Sequence, residues 1–476
     1  MDRLISAGKI KTYRSDEVEH SRFGIGLEKL DRALFDPVKT YDKLQGLGVK
    51  YVRLQSGWKR TEQKEGVYDF FWLDEVVDNL LKRGMKPWLC LCYGNGLYSP
   101  AANDYFGAVG VPPAYTEREK KGWANYCKAL SSHFVGRVYM YEVWNEPDGQ
   151  ECWKTGPDGN LYGKFVIETA RAVRAGDKNA KIAAGSIASA RPPRIKWFEN
   201  ALRSGMCDVI DAVTYHQYRS LETSVPETVR VYRAMINRYN PKVKLIQGES
   251  GCPSKPNGHG ALCRGAWSEE KQAKMLLRRL ITDMKTEVEF SSWFTAVDMA
   301  EALNGASDDK KSHMDYGYFG VLNAEFDEDG RSTGEYTEKP SYYAFKNLCG
   351  LFGTRGAEYT ELPINGYWND YTERVFGFNV PFHETVTAGF QKENGSCAFF
   401  YYKPTDLMTT VFEGVVSFFA VMPHADIRLV DPMSSDIYKI PDTIIEDLGS
   451  GVKKFNFLPI KDYPLALTFG NFFEKE

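Results

Sequence analysis

Long apolar runs are missing from this chain of 476 residues. No stretch approaches the roughly 18 uninterrupted apolar residues that a membrane-spanning helix requires. The first 20 residues also lack the apolar centre of a signal peptide. We therefore expect no membrane partner and a cytoplasmic location. Whether a leader has been removed from the chain is left open.

An excess of charge of either sign is also missing. The 60 Lys and Arg residues nearly balance the 63 Asp and Glu residues, the formal net charge is −3, and no basic run occurs. Nucleic-acid-binding surfaces are usually dense basic patches. The composition therefore argues against nucleic acid as a partner, and it leaves the oligomeric state unknown.

The chain has nine cysteine residues, an odd number, so they cannot all be paired with one another in disulfides. Cys90 and Cys92 alternate in the apolar segment LCLCY and are expected to be small buried hydrophobic side chains. Cys252 and Cys263 flank a loop of Gly, Pro and Asn, so they could pair, or could bind a metal together with His259. Because no complete ligand set with zinc spacing is present, we expect no metal and no organic cofactor.

A strand–helix unit repeats from residue 21 to about residue 355. The strands are near-continuous apolar runs, which are typical of parallel strands buried on both faces. They are expected at 23–27, 49–55, 86–93, 138–144, 180–186, 211–218, 244–249 and 291–297. Eight such units predict an α/β fold, a (β/α)8 TIM barrel over residues 21–355. The alternative is an open doubly wound sheet, which is disfavoured because no G-x-G-x-x-G follows a strand.

Capping residues mark the helix ends between these strands. Asp36 and Pro37 predict the start of one helix, and Gly48 predicts its end. Thr116 and Glu119 have the spacing of a capping box before another. These signals fall between the predicted strands, as a barrel requires.

The pattern changes after about residue 355. Runs of period two, including VFGFNV (375–380) and SCAFFYY (396–402), indicate strands with one buried face. The segment ENGS (393–396) predicts a hairpin turn, and Asp431-Pro432 predicts another. These features predict an antiparallel β-sandwich domain over residues 356–476. The N-terminal segment, residues 1–20, could add an edge strand to it.

The segment VYMYEVWNEPDGQ (138–150) holds the first candidate catalytic residue. Its apolar strand ends in Asn145, Glu146 and Pro147. In barrels of this type, chemistry takes place at the carboxyl ends of the strands. A half-buried carboxyl group there can act as a general acid near neutral pH.

A second carboxylate, Glu249, ends the seventh strand in KLIQGES. Strands four and seven face each other across an eight-stranded barrel, so Glu146 and Glu249 should face each other over its mouth. Two opposed carboxyl groups are the minimal apparatus of glycoside hydrolysis. A separation of about 5–5.5 Å would indicate that Glu249 attacks as a nucleophile and that configuration is retained.

Further residues at strand ends are expected to support catalysis or bind the substrate. Arg53, on strand two, should keep Glu249 ionised, with Tyr218 as a second hydrogen-bond donor. Asn145 could hold a sugar 2-hydroxyl. His216 could bind hydroxyls or orient the acid. The remaining candidates near the mouth are Trp293, Trp58, Tyr93, Asn95, Glu28 and Asp148.

These residues carry a family resemblance. EVWNEP on strand four, a Glu ending strand seven, His-x-Tyr on strand six and an Arg on strand two resemble clan A of the retaining glycoside hydrolases. The barrel followed by a β-sandwich is similar to family 39 of that clan, which includes β-xylosidases and α-L-iduronidases. Many members of that family carry Trp-Asn after the nucleophile, where this chain reads SGCPS.

The resemblance implies that Glu146 is the acid/base and Glu249 the nucleophile. It also implies cleavage of an equatorial β-D or α-L glycosidic bond through a covalent glycosyl-enzyme, with no cofactor. The expected partner is therefore an oligosaccharide or glycoside. The sugar, the linkage and the choice between exo and endo action are left open.

Three alternatives remain at this point. A non-catalytic carbohydrate-binding protein on the same barrel would keep its aromatic residues but could dispense with either Glu. A metal-dependent hydrolase or lyase would need a His/Asp ligand set at strand ends, where only His216 qualifies. A transglycosylase would use the same residues with a sugar as the acceptor in place of water.

Overall fold

The structure is a computed structural model that describes residues 4–301, 305–368, 385–422 and 426–476. A short strand, β1 (Ile5–Lys9), precedes a closed barrel of parallel strands, in which the last strand pairs with the first. The barrel strands are β2 (Phe23–Gly26), β3 (Tyr51–Gln55), β4 (Lys86–Leu91), β5 (Tyr141–Val143), β6 (Ile182–Ile187), β7 (Ala212–His216), β8 (Lys244–Ser250) and β9 (Ser291–Trp293). Each lies within or overlaps a predicted segment, so the predicted (β/α)8 barrel is confirmed and the open doubly wound sheet is wrong.

Helices lie between the barrel strands, and their ends carry the expected caps. Asp36 accepts a hydrogen bond from Val38 N, but it caps a separate 3-10 helix (Pro37–Lys39), so α1 begins later than predicted; Gly48 ends α1 with a φ of 77°. Thr116 and Glu119 form the predicted capping box. The helices are α1 (Tyr41–Leu47), α2 (Trp58–Thr61), α3 (Phe71–Lys82), α4 (Glu117–His133), α5 (Gly159–Gly176), α6 (Pro192–Arg203), α7 (Val225–Asn237), α8 (Glu269–Met284) and α9 (Pro340–Phe352).

The barrel interior has an apolar layer at one level and a polar layer next to it. The apolar layer is a separate hydrophobic cluster formed by Trp88, Met140, Ala183, Ala212, Ile246 and Phe290. Arg53 lies against it, with its guanidinium 5.5 Å from the centre of the Trp88 ring. The outward-facing residues of the strands join the main core instead. This alternation places the polar side chains of the strand ends inside the barrel, towards its mouth.

Long loops follow β4 and β9. The loop after β9 carries two small antiparallel pairs, β10 (Met299–Ala300) with β11 (Tyr316–Gly317), and β12 (Glu325–Phe326) with β13 (Ser332–Thr333). It also pairs with the loop after β4, through a bridge between Tyr105 and Ala306. By contrast, only residues 188–191 connect β6 to α6.

The described part of the C-terminal region forms two antiparallel sheets. The larger has the order β1-β20-β19-β23-β17-β16-β14, and the smaller has the order β15-β18-β22-β21. Apart from β1, the strands of these sheets are β14 (Glu358–Tyr359), β15 (Ile364–Trp368), β16 (Val386–Gln391), β17 (Cys397–Tyr402), β18 (Glu413–Val421), β19 (Ile427–Asp431), β20 (Asp436–Lys439), β21 (Ile445–Asp447), β22 (Val452–Lys461) and β23 (Leu465–Phe469). Strand β1 lies at the edge of the larger sheet.

The two sheets pack face to face through aromatic rings, as in a β-sandwich. Phe418 of the smaller sheet contacts Phe399 and Tyr401 of the larger one, at centroid distances of 5.3 and 4.7 Å. The turns predicted at 393–396 and at Asp431-Pro432 connect β16 to β17 and β19 to β20. The strand predicted at 375–380 lies outside the described residues.

No helix within the described ranges is both long and apolar enough to cross a bilayer.

A buried ion pair joins the barrel to the sandwich. Arg278 on α8 donates to Glu222 at 3.0 Å and to the carbonyl of Thr405 at 2.9 Å, and Tyr402 donates to the same carboxylate at 2.7 Å. Both charged side chains are fully buried. Removing one partner would leave the other buried and unpaired, which is far more costly than losing an exposed pair.

We expect Arg278→Met to reduce stability by about 3–5 kcal/mol. The measurement is the thermal unfolding midpoint, followed by circular dichroism. The matched control is Arg118→Met, because the Arg118–Glu65 pair has a similar length of 2.8 Å but is more than half exposed. The control should change stability by less than about 1 kcal/mol. Equal effects of the two changes would show that the buried pair contributes no more to stability than the exposed one.

Candidate active site

The acid that follows β5 is placed by an unusual backbone turn. Trp144 and Glu146 have positive φ angles of 69° and 44°, which are uncommon for residues other than glycine. Gly149 N closes the turn on the carbonyl of Glu146 at 3.1 Å. Pro147 fits here because it has no N–H that would need a partner in a sheet. The turn brings the Glu146 side chain to the barrel mouth, where it is 21% exposed.

Arg53, on β3, is the common partner of the polar side chains inside the barrel, and it is fully buried. An arginine suits this position because its planar fork can serve several acceptors at once. Its nitrogens face Glu249 Oε2 at 2.7 Å, Glu142 Oε2 at 2.8 Å, Asn145 Oδ1 at 2.9 Å, Ser186 Oγ at 3.4 Å and Glu28 Oε1 at 3.5 Å.

Glu249, near the end of β8, is held through both carboxylate oxygens. Arg53 Nη1 donates to Oε2 and Tyr218 Oη donates to Oε1, each at 2.7 Å. Burial acts to raise the pKa of Glu249, but the charges of His216 and Arg53 and the hydrogen bond from Tyr218 outweigh it and lower the pKa below its ordinary value. The side chain is 12% exposed, so it stays ionised while it faces the barrel mouth.

His216, at the end of β7, lies between the two acids. Its Nδ1 is 3.1 Å from Glu146 Oε1 and 3.6 Å from Glu249 Oε2, and its Nε2 is 3.3 Å from Ser186 Oγ. Burial acts to lower the pKa of His216, but Glu249 and the hydrogen bond to Glu146 outweigh it, so the pKa is raised. A hydrogen on Nδ1 can therefore orient the carboxyl group of Glu146.

The two carboxyl groups are close together. One oxygen of Glu146, one of Glu249 and a ring nitrogen of His216 all lie within 4.8 Å of one another. Retaining glycosidases hold their carboxyl groups about 5–5.5 Å apart, whereas inverting enzymes leave about 6.5–9.5 Å for a water molecule. The separation fits direct attack by a carboxylate.

Glu28 joins this cluster from the loop after β2. Its carboxyl group is almost fully buried and lies 3.5 Å from Arg53 Nη1 and 3.2 Å from Thr295 Oγ1. Burial raises the pKa of Glu28 to about 7; Arg53 opposes that rise and Glu249 adds to it. Glu28 is therefore part of the charge network and does not line the open mouth.

Several aromatic and polar residues expected near the substrate are part of the core instead. Trp58 is fully buried, stacks on Tyr98 and donates its indole N–H to Glu62 at 2.6 Å. Asn95 donates to the carbonyl of Glu62 at 2.8 Å and shapes its own loop. The expectation that Trp58 and Asn95 line the substrate pocket is wrong, because their polar atoms are used within the loops.

Tyr93 and Trp293 are also buried, at 1% exposed each. Tyr93 packs edge-on against Trp144, with ring centroids 5.5 Å apart, so it supports the turn before Glu146 and has little surface to offer a sugar. Trp293 belongs to the main core, and the ring that packs against Tyr218 is the next residue, Phe294, at 6.3 Å. Neighbouring residues of a strand point to opposite faces, so the prediction for Trp293 was wrong by one residue.

Asp148 holds the loop that follows Glu146. Its carboxylate accepts hydrogen bonds from Ala188 N and Arg194 Nη1, each at 3.1 Å. Burial raises the pKa of Asp148 to about 6. It fixes the Glu146 turn to the loop after β6 and does not face the mouth.

Sequence reasoning missed Glu142. It is fully buried and contacts Arg53 at 2.8 Å, Ser186 at 2.8 Å and Thr214. A signal was present, because Glu142 is a lone carboxylate inside the otherwise apolar strand segment VYMYEVW. A charge in such a strand needs a buried partner of opposite sign, and Arg53 is that partner.

The site does not suit a metal ion. Among the described residues, Glu146, His216 and Glu249 form the one group of three ligand-type side chains close enough to share an ion. Both oxygens of Glu249 already accept hydrogen bonds, and the Arg53 charge 2.7 Å away would repel a second cation. Cys252 and Cys263 are both free thiols, and His259 lies 3.4 Å from Asp315. The disulfide and the Cys–His metal site raised by the sequence are therefore not formed.

The comparisons with known proteins agree with this geometry. The profile of Glycosyl hydrolases family 39 matches residues 38–355, more than half of the chain. The chain belongs to glycoside hydrolase family 39. The segment SGCPS after Glu249, where many family members have Trp-Asn, therefore does not exclude this chain from the family.

Among curated relatives of this family 39 protein, a β-xylosidase of Caldicellulosiruptor saccharolyticus is 23% identical over 343 residues, which are 65% of this chain and 63% of the relative. A β-xylosidase of Geobacillus stearothermophilus is 26% identical over 223 residues, 42% of each chain. This chain thus spans less than two thirds of either relative.

Solved structures show the same fold at low identity. A family 39 glycoside hydrolase from the gut symbiont Bacteroides cellulosilyticus WH2 aligns with a TM-score of 0.65 at 16% identity, over 97% of this chain and 83% of that one. A family 39 β-xylosidase from Caulobacter crescentus aligns with a TM-score of 0.58 at 16% identity, over 98% and 97%.

Proposed function

We propose that this protein is a retaining glycoside hydrolase that removes β-D-xylose units from the ends of glycosides or oligosaccharides. The observation that carries the proposal is the pair of carboxyl groups within 4.8 Å of each other, of which Glu249 is held ionised by Arg53 and Tyr218. The sugar is inferred from relatives named β-xylosidases.

In the first step, Glu249 attacks the anomeric carbon of the sugar while Glu146 gives its proton to the departing oxygen. The bond from carbon to the leaving oxygen breaks, and an ester between Glu249 and the sugar forms. His216 Nδ1, 3.1 Å from Glu146, keeps the carboxyl group directed at that oxygen. In the second step, Glu146 takes a proton from water, the water attacks the same carbon, and Glu249 is released with configuration retained.

Asn145 is positioned to recognise the sugar next to Glu249. Arg53 fixes its Oδ1 at 2.9 Å, which assigns the oxygen and nitrogen of the amide. One amide hydrogen points towards Cys152 Sγ at 3.6 Å, and the other is free to donate to a sugar hydroxyl. A hydrogen bond to the 2-hydroxyl strengthens in the transition state of glycosidases.

The loops around the mouth favour exo action. The Lys29–Glu301 pair, 3.2 Å long, joins the loop after β2 to the loop after β9. The bridge between Tyr105 and Ala306 joins the latter loop to the one after β4. These contacts hold together the loops after β2, β4 and β9 on one side of the mouth. The loop after β6 is short, residues 188–191, and it lies next to the Glu146 turn, where it leaves room for a leaving group.

We therefore expect the reacting sugar to bind on the side of the joined loops. The leaving group should then extend over the short loop 188–191, near Glu146. A pocket bounded in this way accepts one terminal sugar. A transglycosylase would use the same residues, and a sugar acceptor entering over the short loop would then replace water.

The proposal is tested with a panel of nitrophenyl β-D- and α-L-glycosides and with a xylo-oligosaccharide labelled at its reducing end. We expect the β-D-xyloside to be hydrolysed fastest, and the labelled chain to shorten by one unit at a time. Faster cleavage of another glycoside would overturn the sugar assignment. Internal cleavage of the labelled chain would overturn exo action, and formation of longer chains at low acceptor concentration would favour the transglycosylase.

Arg53→Ala is expected to lower kcat/KM by on the order of 10²-fold, as the loss of one preorganised electrostatic contact does in other enzymes. Arg53 lowers the pKa of Glu249, so its removal should let that pKa rise. Glu249 would then become protonated at a higher pH, and the acidic limb of the rate profile should move to higher pH. The pH profile of kcat/KM measures this shift.

Arg118→Ala, a change of an exposed arginine paired with Glu65, is the control and should leave the profile in place. If Arg53→Ala lowers only the unfolding midpoint and leaves the acidic limb unmoved, then Arg53 merely braces the barrel.

A further inference from the structure

Glu28 is an acid that takes no part in the catalytic steps above, although its carboxyl group lies 3.5 Å from Arg53, the cation that holds Glu249. Its carboxyl group packs directly on Gly26: a Cβ atom added to Gly26 would lie 2.1 Å from Glu28 Oε2. A side chain at position 26 would therefore displace the carboxyl group. The loop after β2 is built to hold this buried acid beside Arg53.

Thr295 offers an anion at Glu28 only a shared hydrogen bond. Thr295 Oγ1 has a single hydrogen and lies 2.8 Å from the carbonyl of Gly26 and 3.2 Å from Glu28 Oε2. A carbonyl can only accept, so the shorter contact uses the threonine hydrogen. The longer contact leaves Glu28 Oε2 at most a minor share of that hydrogen, whereas the Thr295 oxygen can also accept a hydrogen from a protonated carboxyl group.

Arg53 favours an anion at Glu28, but in the free enzyme it is shared with a closer carboxylate. Its Nη1 is 2.7 Å from Glu249 but 3.5 Å from Glu28. The other cation nearby, Lys29, is turned to Glu301 at 3.2 Å and to the carbonyl of Ala300 at 3.0 Å. Glu249 itself adds a second negative charge. The pKa of about 7 for Glu28, raised first by burial, agrees with this geometry.

Forming the glycosyl ester removes the charge of Glu249. Arg53 Nη1 then faces a neutral ester where it had faced the carboxylate of Glu249, its nearest acceptor. Glu28 Oε1 is the other carboxylate oxygen that this nitrogen faces. An anion at Glu28 would now be attracted by Arg53 and no longer repelled by Glu249.

We propose that Glu28 is a neutral carboxylic acid in the free enzyme and ionises when Glu249 becomes the glycosyl ester, so that Arg53 Nη1 keeps a negative partner through the intermediate while Arg53 Nε stays paired with Glu142. In the first step, the Glu249–carbon bond forms, the bond to the leaving group breaks, the Glu146 proton goes to the leaving oxygen, and the Glu28 proton goes to solvent. In the second step, Glu249 regains its charge and Glu28 takes a proton back. Glu28 is a positioning residue that acts through Arg53, and this inference rests on the proposed role of Glu249 as the nucleophile.

The first test needs no substrate. Infrared spectra of the wild type, Glu28→Gln and Glu249→Gln are compared at about pH 6, where an ordinary glutamate is ionised. We expect Glu28→Gln to lose one protonated carboxyl band. Glu249→Gln, which makes the nucleophile neutral without a sugar, should lose the same band because Glu28 then ionises. The double variant should show no further loss of that band.

Glu338→Gln is the matched control. Glu338 pairs with Lys43 on the surface, and although burial acts to raise its pKa, the hydrogen bond from Lys43 is among the contacts that outweigh it and lower the pKa. The control should lose only an ionised carboxylate band. If Glu28→Gln also loses only an ionised band, or if Glu249→Gln keeps the protonated band, the proposal is overturned.

A second test uses a 2-deoxy-2-fluoro-β-D-xylosyl fluoride to accumulate the intermediate in weak buffer with a pH indicator. The wild type should release more protons per adduct than Glu28→Gln, and equal release would contradict the proposal. The mass of the protein reports the adduct separately. If no adduct forms, the proposed xylosidase function fails, while the infrared comparison still decides the state of Glu28.

Discussion

Glu249→Gln is expected to lower kcat/KM for an aryl β-D-xyloside by on the order of 10⁵-fold, because removing the nucleophile of a covalent mechanism has effects of that size. The amide fits the same space, where Arg53 and Tyr218 contact Glu249 at 2.7 Å each. Its one oxygen can still accept from Arg53, and its NH2 group can donate to the Tyr218 oxygen once that hydroxyl turns. The folded structure should therefore persist while attack on the anomeric carbon is lost. Initial rates with a dinitrophenyl xyloside, whose leaving group needs no acid, isolate this step.

The smaller variant Glu249→Gly tests whether the loss of activity comes from the missing nucleophile. It opens space at the attacked carbon, so added azide should act as an external nucleophile and give the glycosyl azide of inverted configuration. Glu338→Gln serves as the control for removal of a glutamate elsewhere and should keep wild-type rates. Activity of Glu249→Gln within about tenfold of the wild type would be too high for a lost nucleophile.

Glu146→Ala is expected to show the second largest effect, and its size should depend on the leaving group. For a poor leaving group that needs protonation, kcat/KM should fall by about 10²- to 10⁴-fold. For a dinitrophenyl leaving group, kcat/KM should change little, but kcat should fall because the intermediate lacks its base. Azide should restore kcat and give the glycosyl azide of retained configuration.

The acid/base assignment depends on this contrast between substrates. His216, 3.1 Å from Glu146, provides the comparison: His216→Gln should weaken protonation without allowing azide rescue, because the base is still present. If Glu146→Ala slows both kinds of substrate equally and azide has no effect, Glu146 has a different role.

The barrel was predictable from the sequence because its strands are buried on both faces. Each becomes a short, continuous apolar run, and each is separated from the next by a capped helix. The register then puts residues of neighbouring strands at the same level: His216 lies opposite Glu249 in the pairing of β7 with β8. Strand order alone therefore predicted that Arg53, Glu146 and Glu249 approach each other.

The loop residues were not predictable in the same way. Whether Trp58 faces a sugar or the core depends on the turn that precedes it and on Glu62, which accepts its indole N–H at 2.6 Å. Trp293 and Phe294 differ by one position, and which of them points inward depends on where β9 ends. A shift of one residue moves a side chain to the other face of a strand.

The charge network was predictable only in part. An arginine in strand two indicated a partner for Glu249, but the number of acceptors around it did not follow from spacing. Arg53 faces Glu28, Glu142 and Glu249 together because β2, β3, β5 and β8 bring their inward positions to one level. Sequence patterns show which residues point inward, and only the closed barrel shows which of them meet.

The most direct test of the double-displacement mechanism is to locate the sugar in the trapped intermediate. The protein is inactivated with the 2-deoxy-2-fluoro derivative of the glycoside that it hydrolyses fastest, digested, and mapped by mass spectrometry. We expect one sugar per chain, attached to the peptide that contains Glu249. A sugar attached to Glu146 or Glu28, or inactivation-free turnover that yields a product of inverted configuration, would contradict the mechanism.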